Sequence, residues 1–192
     1  LGLVYVDSST LVSQLTPADL ELLTVIANVA AIRIEQERLA RIEELERVLA
    51  RDLEQAAEIQ RGLLPTRPPP VRGIEMAGYN MPCRTVGGDY YDLFPLPDGR
   101  VAIVLADVSG KGMSAALLMA SLQARVRVLA EEPEDAARLM SRLDRMMASS
   151  CPTNRFVTLV FCALDSATGD LAYCNAGHNP PILVRADGRS EG

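Results

Sequence analysis

The spacing of apolar positions changes along the chain, and each change marks a boundary. Leu3, Val4, Tyr5 and Val6 form a short run of strand type, followed by turn chemistry at Asp7, Ser8 and Ser9. Thr16, Pro17, Ala18 and Asp19 then supply an N-cap, a proline at the first helical position and an acid in the first turn. From Leu20 onward Leu22, Leu23, Ile26, Val29, Ala30 and Ile32 cover a wide helical stripe, as on a helix packed against a sheet. Residues 33–61 contain neither proline nor glycine and mix charges of both signs, so the helix is predicted to continue. Within it Ile42, Leu45, Leu49, Ala56, Ile59 and Leu63 alternate three- and four-residue steps once Asp52 is placed in the seam. That is a heptad pattern, out of phase with Val25, Val29, Ile32 and Leu39 upstream, which predicts a coiled coil with a stutter near residue 40. A long helix polar on most sides is marginal unless its seam is covered, which favours a parallel homodimer through this linker.

Gly62 and the cluster Pro65, Pro68, Pro69 and Pro70 end the helix, because proline removes a donor and clashes with the preceding turn. Beyond it the period changes. Residues 74–79 read as a strand, and 101–106 as a fully apolar, buried strand entered through the turn Pro97-Asp98-Gly99. Two helices follow, one over about 113–131 and one opening at Pro133-Glu134-Asp135. The second carries Leu139, Met140, Leu143, Met146 and Met147 on one side, a stripe that reads as core. Residues 156–164 and 171–175 then form a hairpin across Asp165–Asp170. Strands, a helical pair and more strands imply an α+β layered domain, not a βαβ repeat.

Composition narrows the function. The chain of 192 residues is 48% hydrophobic and 23% charged, a globular balance, and its net charge of -6 argues against nucleic acid as the main partner. Basic charge is almost wholly arginine, with Lys111 the single lysine. No apolar run reaches the roughly 20 residues of a membrane span. The cysteines Cys83, Cys151, Cys162 and Cys174 show neither a CxxC pair nor a histidine cluster, which fits reduced thiols in a cytoplasmic protein. The opening at Leu1 and the ending at Gly192, just past an apparent hairpin turn, read as a chain cut at both ends.

Two acids stand out as candidate chemistry. Asp89 directly follows Gly87-Gly88, and Asp107 closes the buried strand before the turn Ser109-Gly110-Lys111-Gly112. An acid at a strand end is held by rigid backbone, glycines let main chain approach a ligand, and carboxylate oxygens suit Mg²⁺ or Mn²⁺. Either site could also be a plain structural turn.

The runs Ile59-Gln60-Arg61-Gly62-Leu63-Leu64-Pro65, Val86-Gly87-Gly88-Asp89-Tyr90-Tyr91-Asp92, Asp107-Val108-Ser109-Gly110-Lys111-Gly112 and Ala176-Gly177-His178-Asn179-Pro180-Pro181 occur in this order. Together they resemble the SpoIIE-like branch of the PPM metal-dependent serine/threonine phosphatases, and residues 1–39 are similar to the last strand and helix of a GAF sensory domain. The resemblance implies three parts: the end of a GAF-like domain at 1–32, a coiled-coil linker at 33–64, and a phosphatase domain at 65–192, incomplete at its C-terminal end. It implies a β-sandwich flanked by helices with two Mn²⁺ or Mg²⁺ ions at one end, Asp89 as a ligand of one, Asp107 bridging both, and the Val108 carbonyl as a further ligand. Such a pair of ions supplies an activated water and neutralises phosphoryl oxygens. Arg84 could clamp the phosphate, or lie idle on the surface. The implied substrate is a phosphorylated regulatory protein of the anti-sigma-factor-antagonist type, with neither nucleic acid nor membrane as partner.

The sequence departs from that pattern in one respect. The family uses further acidic ligands, one in a late Thr-Asp-Gly-type motif, and none appears before Gly192. Two carboxylates leave two divalent ions under-coordinated, so the chain by itself is expected to bind metal weakly and hydrolyse little. A catalytically degenerate dimeric signalling scaffold is the alternative. A diguanylate cyclase reading fails at Tyr90-Tyr91, where that signature needs Glu-Phe, and a histidine kinase reading fails because residues 33–62 contain no histidine. His178, the single histidine, reads as a turn or packing residue.

Overall fold

The computed structural model describes residues 2–7, 16–132 and 135–191. The chain divides into two compact units, 1–52 and 53–192. In the first, residues 2–7 have no strand partner among the described residues, so the strand expected at 3–6 is not formed there. The expected turn at 8–9 lies outside the described residues. Helix α1 runs without a break over Pro17–Leu63. Its start is a capping box: the Asp19 carboxylate accepts from the Thr16 N–H and hydroxyl at 2.8 and 2.7 Å. Those bonds hold the Asp19 carboxyl below its usual range. Ile42, Leu45 and Leu49 on this helix stand exposed.

The second unit is built on one antiparallel meander, β1 (Tyr90–Pro95), β2 (Val101–Val108), β3 (Val157–Leu164) and β4 (Leu171–Ala176), in that order across the sheet. Helices α2 (Met113–Ala130) and α3 (Ala136–Ala148) cover one face. A small hairpin, β5 (Leu183–Val184) with β6 (Ser190–Glu191), follows. The fold is therefore mixed α+β, with one layer of helices on an antiparallel sheet. Alternation along the strands sends Tyr90, Phe94, Ala102, Val104, Ala106, Leu159 and Phe161 into the helical core with Met119, Leu122, Leu139, Leu143 and Met147. The methionine stripe of α3 is core, except that Met146 remains 40% exposed. By length and composition α2 could cross a membrane, yet its face of Ala115, Met119, Leu122 and Val126 is buried on the sheet.

One local reading is corrected. Residues 74–79 are not a strand; apart from a lone Val71–Ile74 bridge they pair with no ladder, and Gly78 instead lies flat against the Tyr91 ring. The first strand of the sheet is instead 90–95, a segment to which the sequence pattern assigned no element. Asp92 is nevertheless fully buried, because Arg127 from α2 grips both its oxygens at 2.7 Å while the Tyr90 hydroxyl and the Leu93 N–H donate to it. The same guanidinium stacks 4.1 Å from the Phe94 ring centre.

Candidate active site

The two acids meet because of strand register. Tyr90 pairs with Ala106, so one further step places Asp89 opposite Asp107 on the sheet face turned away from the helices. They are near enough for the Asp107 carboxylate to act directly on Asp89. Partial desolvation, and then the charge of Asp107, push the Asp89 carboxyl above its ordinary range. On the next strand Thr158 pairs with Asp107, and its hydroxyl lies 2.8 Å from His178 Nδ1. The His178 ring also bears electrostatically on Asp89, favouring its ionised form. The turn carrying His178 is fixed by Asn175, whose side-chain carbonyl accepts from the His178 N–H at 2.8 Å while its amide donates to the His178 carbonyl at 3.0 Å. One end of the sheet thus gathers Asp89, Asp107, Thr158 and His178.

The glycines serve close approach. A Cβ on Gly88 would stand 2.5 Å from the Val108 carbonyl oxygen, so that oxygen lies directly alongside the loop carrying Asp89. Val108 in turn donates its N–H to the Gly88 carbonyl at 3.3 Å. Within this unit the last turns of α1 hold the same loop. The Gln60 side-chain amide donates to the Gly87 carbonyl at 2.7 Å and accepts from the Gly87 N–H at 3.0 Å. Beneath it Ala57, Val86 and Ala116 form a small buried cluster with Leu53 and Ala56 packed against it. Arg84 is exposed, with its guanidinium beside Gly112 at the start of α2.

The donor set suits a hard cation. Two adjacent carboxylates and a neighbouring backbone carbonyl are oxygen ligands of the kind Mg²⁺ and Mn²⁺ take. Among the described residues no group of three or more His, Cys, Asp and Glu side chains could share one ion, so the acidic set stops at two. Gln60, Thr158 and Asn175 were not singled out by sequence reasoning. Gln60 did stand inside a quoted motif, where a polar residue in the last helical turn was the available signal.

Comparison with known proteins identifies a family for this part of the chain. Residues 97–191 match the family model described as Stage II sporulation protein E (SpoIIE), a stretch that includes Asp107 and His178. The chain is 30% identical over 166 residues to Protein IcfG of Synechocystis sp. (strain ATCC 27184 / PCC 6803 / Kazusa), covering 71% of this chain and 26% of that protein. It is 28% identical over 129 residues to Phosphoserine phosphatase RsbU of Bacillus subtilis (strain 168), covering 67% of this chain and 38% of that protein. The chain thus spans well under half the length of these relatives. Among solved structures, the RsbU and RsbW domains of Rv1364c from Mycobacterium tuberculosis align with a TM-score of 0.51 and 31% identity, over 57% of this chain and 30% of that one. This chain carries a domain of the SpoIIE-like family of PPM-type phosphatases.

Proposed function

We propose that the chain is part of a protein serine/threonine phosphatase that removes phosphate from phosphoserine or phosphothreonine on a bacterial regulatory protein of the anti-sigma-factor-antagonist type. The observation that carries this reading is the placement of Asp89 and Asp107 side by side at the sheet end, with the Val108 carbonyl against Gly88. Asp89, Asp107 and the Val108 carbonyl would hold two Mn²⁺ or Mg²⁺ ions. When bound, such ions supply an activated water and charge neutralisation at phosphorus. The chain's own part is to fix these oxygens through the β1–β2 register and the Gln60 clamp, and to orient a phosphoryl oxygen with Arg84, whose exposed planar head can bind in bidentate fashion. The name of RsbU, a phosphoserine phosphatase, supports the reaction class.

The same reading divides the chain into the end of a GAF-like domain at 1–32, a linker at 33–64 and the phosphatase domain from 65 onward, in a cytoplasmic protein. Exposed Ile42, Leu45 and Leu49 on an uninterrupted helix support a homodimer through the linker. The limited acidic set supports a second reading, a degenerate dimeric scaffold. Turnover of para-nitrophenyl phosphate and of a phosphoserine peptide with Mn²⁺ separates the two. In the full-length protein that contains this chain, the phosphatase reading expects turnover that Asp107→Ala abolishes; equal rates in the unmutated full-length protein and its Asp107→Ala variant refute it.

A further inference from the structure

The turn that leaves β2 is held from outside, by the segment entering β3. Ser109 donates its N–H to the Phe156 carbonyl at 2.9 Å, and Phe156 donates its N–H to the Ser109 hydroxyl at 2.9 Å. In a trans peptide the N–H and C=O point opposite ways, so anchoring the Ser109 N–H toward β3 turns the Val108 carbonyl toward β1, where Gly88 lies against it. The next peptide plane is held by a side chain. The Arg155 guanidinium donates to the Ser109 carbonyl at 2.6 Å and to the Ser114 hydroxyl, in the first turn of α2, at 3.0 Å. It fills the space that a side chain on Gly110 would need: a Cβ there would fall 1.3 Å from the Arg155 nitrogen.

We propose that Arg155 is a positioning residue for the site: its half-buried guanidinium staples the 109–112 turn to α2 and so keeps Asp107 and the Val108 carbonyl facing Asp89. Gly110 and Gly112 have φ of 101° and 75°, conformations that glycine enters and leaves freely, so the turn needs an external hold to keep one geometry. A planar fork meets two acceptors at once; the single ammonium of lysine does not offer that geometry. The inference rests on the phosphatase reading, because it gives the held oxygens their purpose.

The test is Mn²⁺ binding followed by the paramagnetic resonance of the free ion, on the unmutated chain and on Arg155→Ala, Arg155→Lys, Ser114→Ala and Asp107→Ala. Arg155→Ala is expected to weaken Mn²⁺ binding roughly 10- to 100-fold, the range seen when groups that orient metal ligands are removed. Arg155→Lys should recover little of it, and Ser114→Ala should lose less. At saturating Mn²⁺ the KM for para-nitrophenyl phosphate should stay within about twofold, since Arg155 has no substrate contact to lose. A role confined to fold stability would lower the melting temperature and leave the Mn²⁺ affinity of the folded chain unchanged. Unchanged affinity in both Arg155→Lys and Ser114→Ala, with Asp107→Ala abolishing binding, overturns the proposal and leaves the phosphatase reading intact. Equal Mn²⁺ binding by Asp107→Ala and the unmutated chain, or none by either, overturns both.

Discussion

Replacing Gln60 with alanine removes both hydrogen bonds that tie the end of α1 to Gly87, the residue two before Asp89. Each such bond contributes a net ~0.5–1.5 kcal/mol, so the pair is worth roughly 1–3 kcal/mol. The Gly87 site is partly buried, so water can replace some of the loss, and about 1–2 kcal/mol is the expected cost. Since 1.4 kcal/mol is a factor of ten in an equilibrium, the loop should open about tenfold more often. Hydrogen exchange read by mass spectrometry on a peptide containing Gly87 and Gly88 measures this directly, with a peptide from β2 as the internal standard. Gln60→Glu sharpens the test: it keeps an acceptor for the Gly87 N–H but sets a carboxylate against the Gly87 carbonyl. It should therefore loosen the loop at least as much as loss of one bond, despite near-identical size. Equal protection of the Gly87 peptide in all three proteins would show that the clamp does not hold the loop.

Other outcomes follow from the same geometry. Asp89 has a carboxyl raised in the folded state, so the native chain binds its proton more tightly than the unfolded chain and stability falls as pH rises above about 4. Without divalent cation, Asp89→Asn should therefore melt higher than the unmutated chain at pH 7, with the gap closing toward pH 4 in thermal scans; a gap constant across that range would contradict the desolvation of Asp89 beside Asp107. Arg127→Met leaves the Asp92 carboxylate fully buried and without its cation. The 3–5 kcal/mol typical of a broken buried pair should fall to roughly 2–3 kcal/mol by urea denaturation, because the Arg127 side chain is itself 42% exposed and water can follow it in. Gly88→Ala drives a Cβ into the Val108 carbonyl oxygen and should cost about 1–3 kcal/mol with Mn²⁺ affinity lost alongside; a neutral effect on both would mean the two strands do not approach as described.

The layers of the second unit were legible in the sequence because they bury contiguous apolar stretches. The run at 101–106 lies within β2, and the Met and Leu spacing of α3 faces the core as its period requires. β1 was not legible, because a fully buried aspartate, Asp92, interrupts its apolar pattern. Its neutralising partner Arg127 lies on another helix, and no local pattern connects the two. Residues 74–79 show the reverse failure: strand-forming residue types without a neighbour to pair with. In the candidate site, Asp89 and Asp107 drew notice through the glycines and strand end beside them, whereas their juxtaposition is a matter of register. Gln60 and Arg155 act on backbone far along the chain, through amide and guanidinium groups that look like ordinary surface polarity when read one residue at a time.

Lys111 stands exposed between Gly110 and Gly112, in the turn that joins β2 to α2. It is also the sole lysine of a chain whose other side-chain cations are arginines, inert to amine-directed reagents. Apart from the terminal amine, one succinimide-ester dye would thus land at a single address, next door to Asp107. This stretch of 192 residues comes ready-made for a reporter whose fluorescence follows metal and phosphate arriving at that end of the sheet.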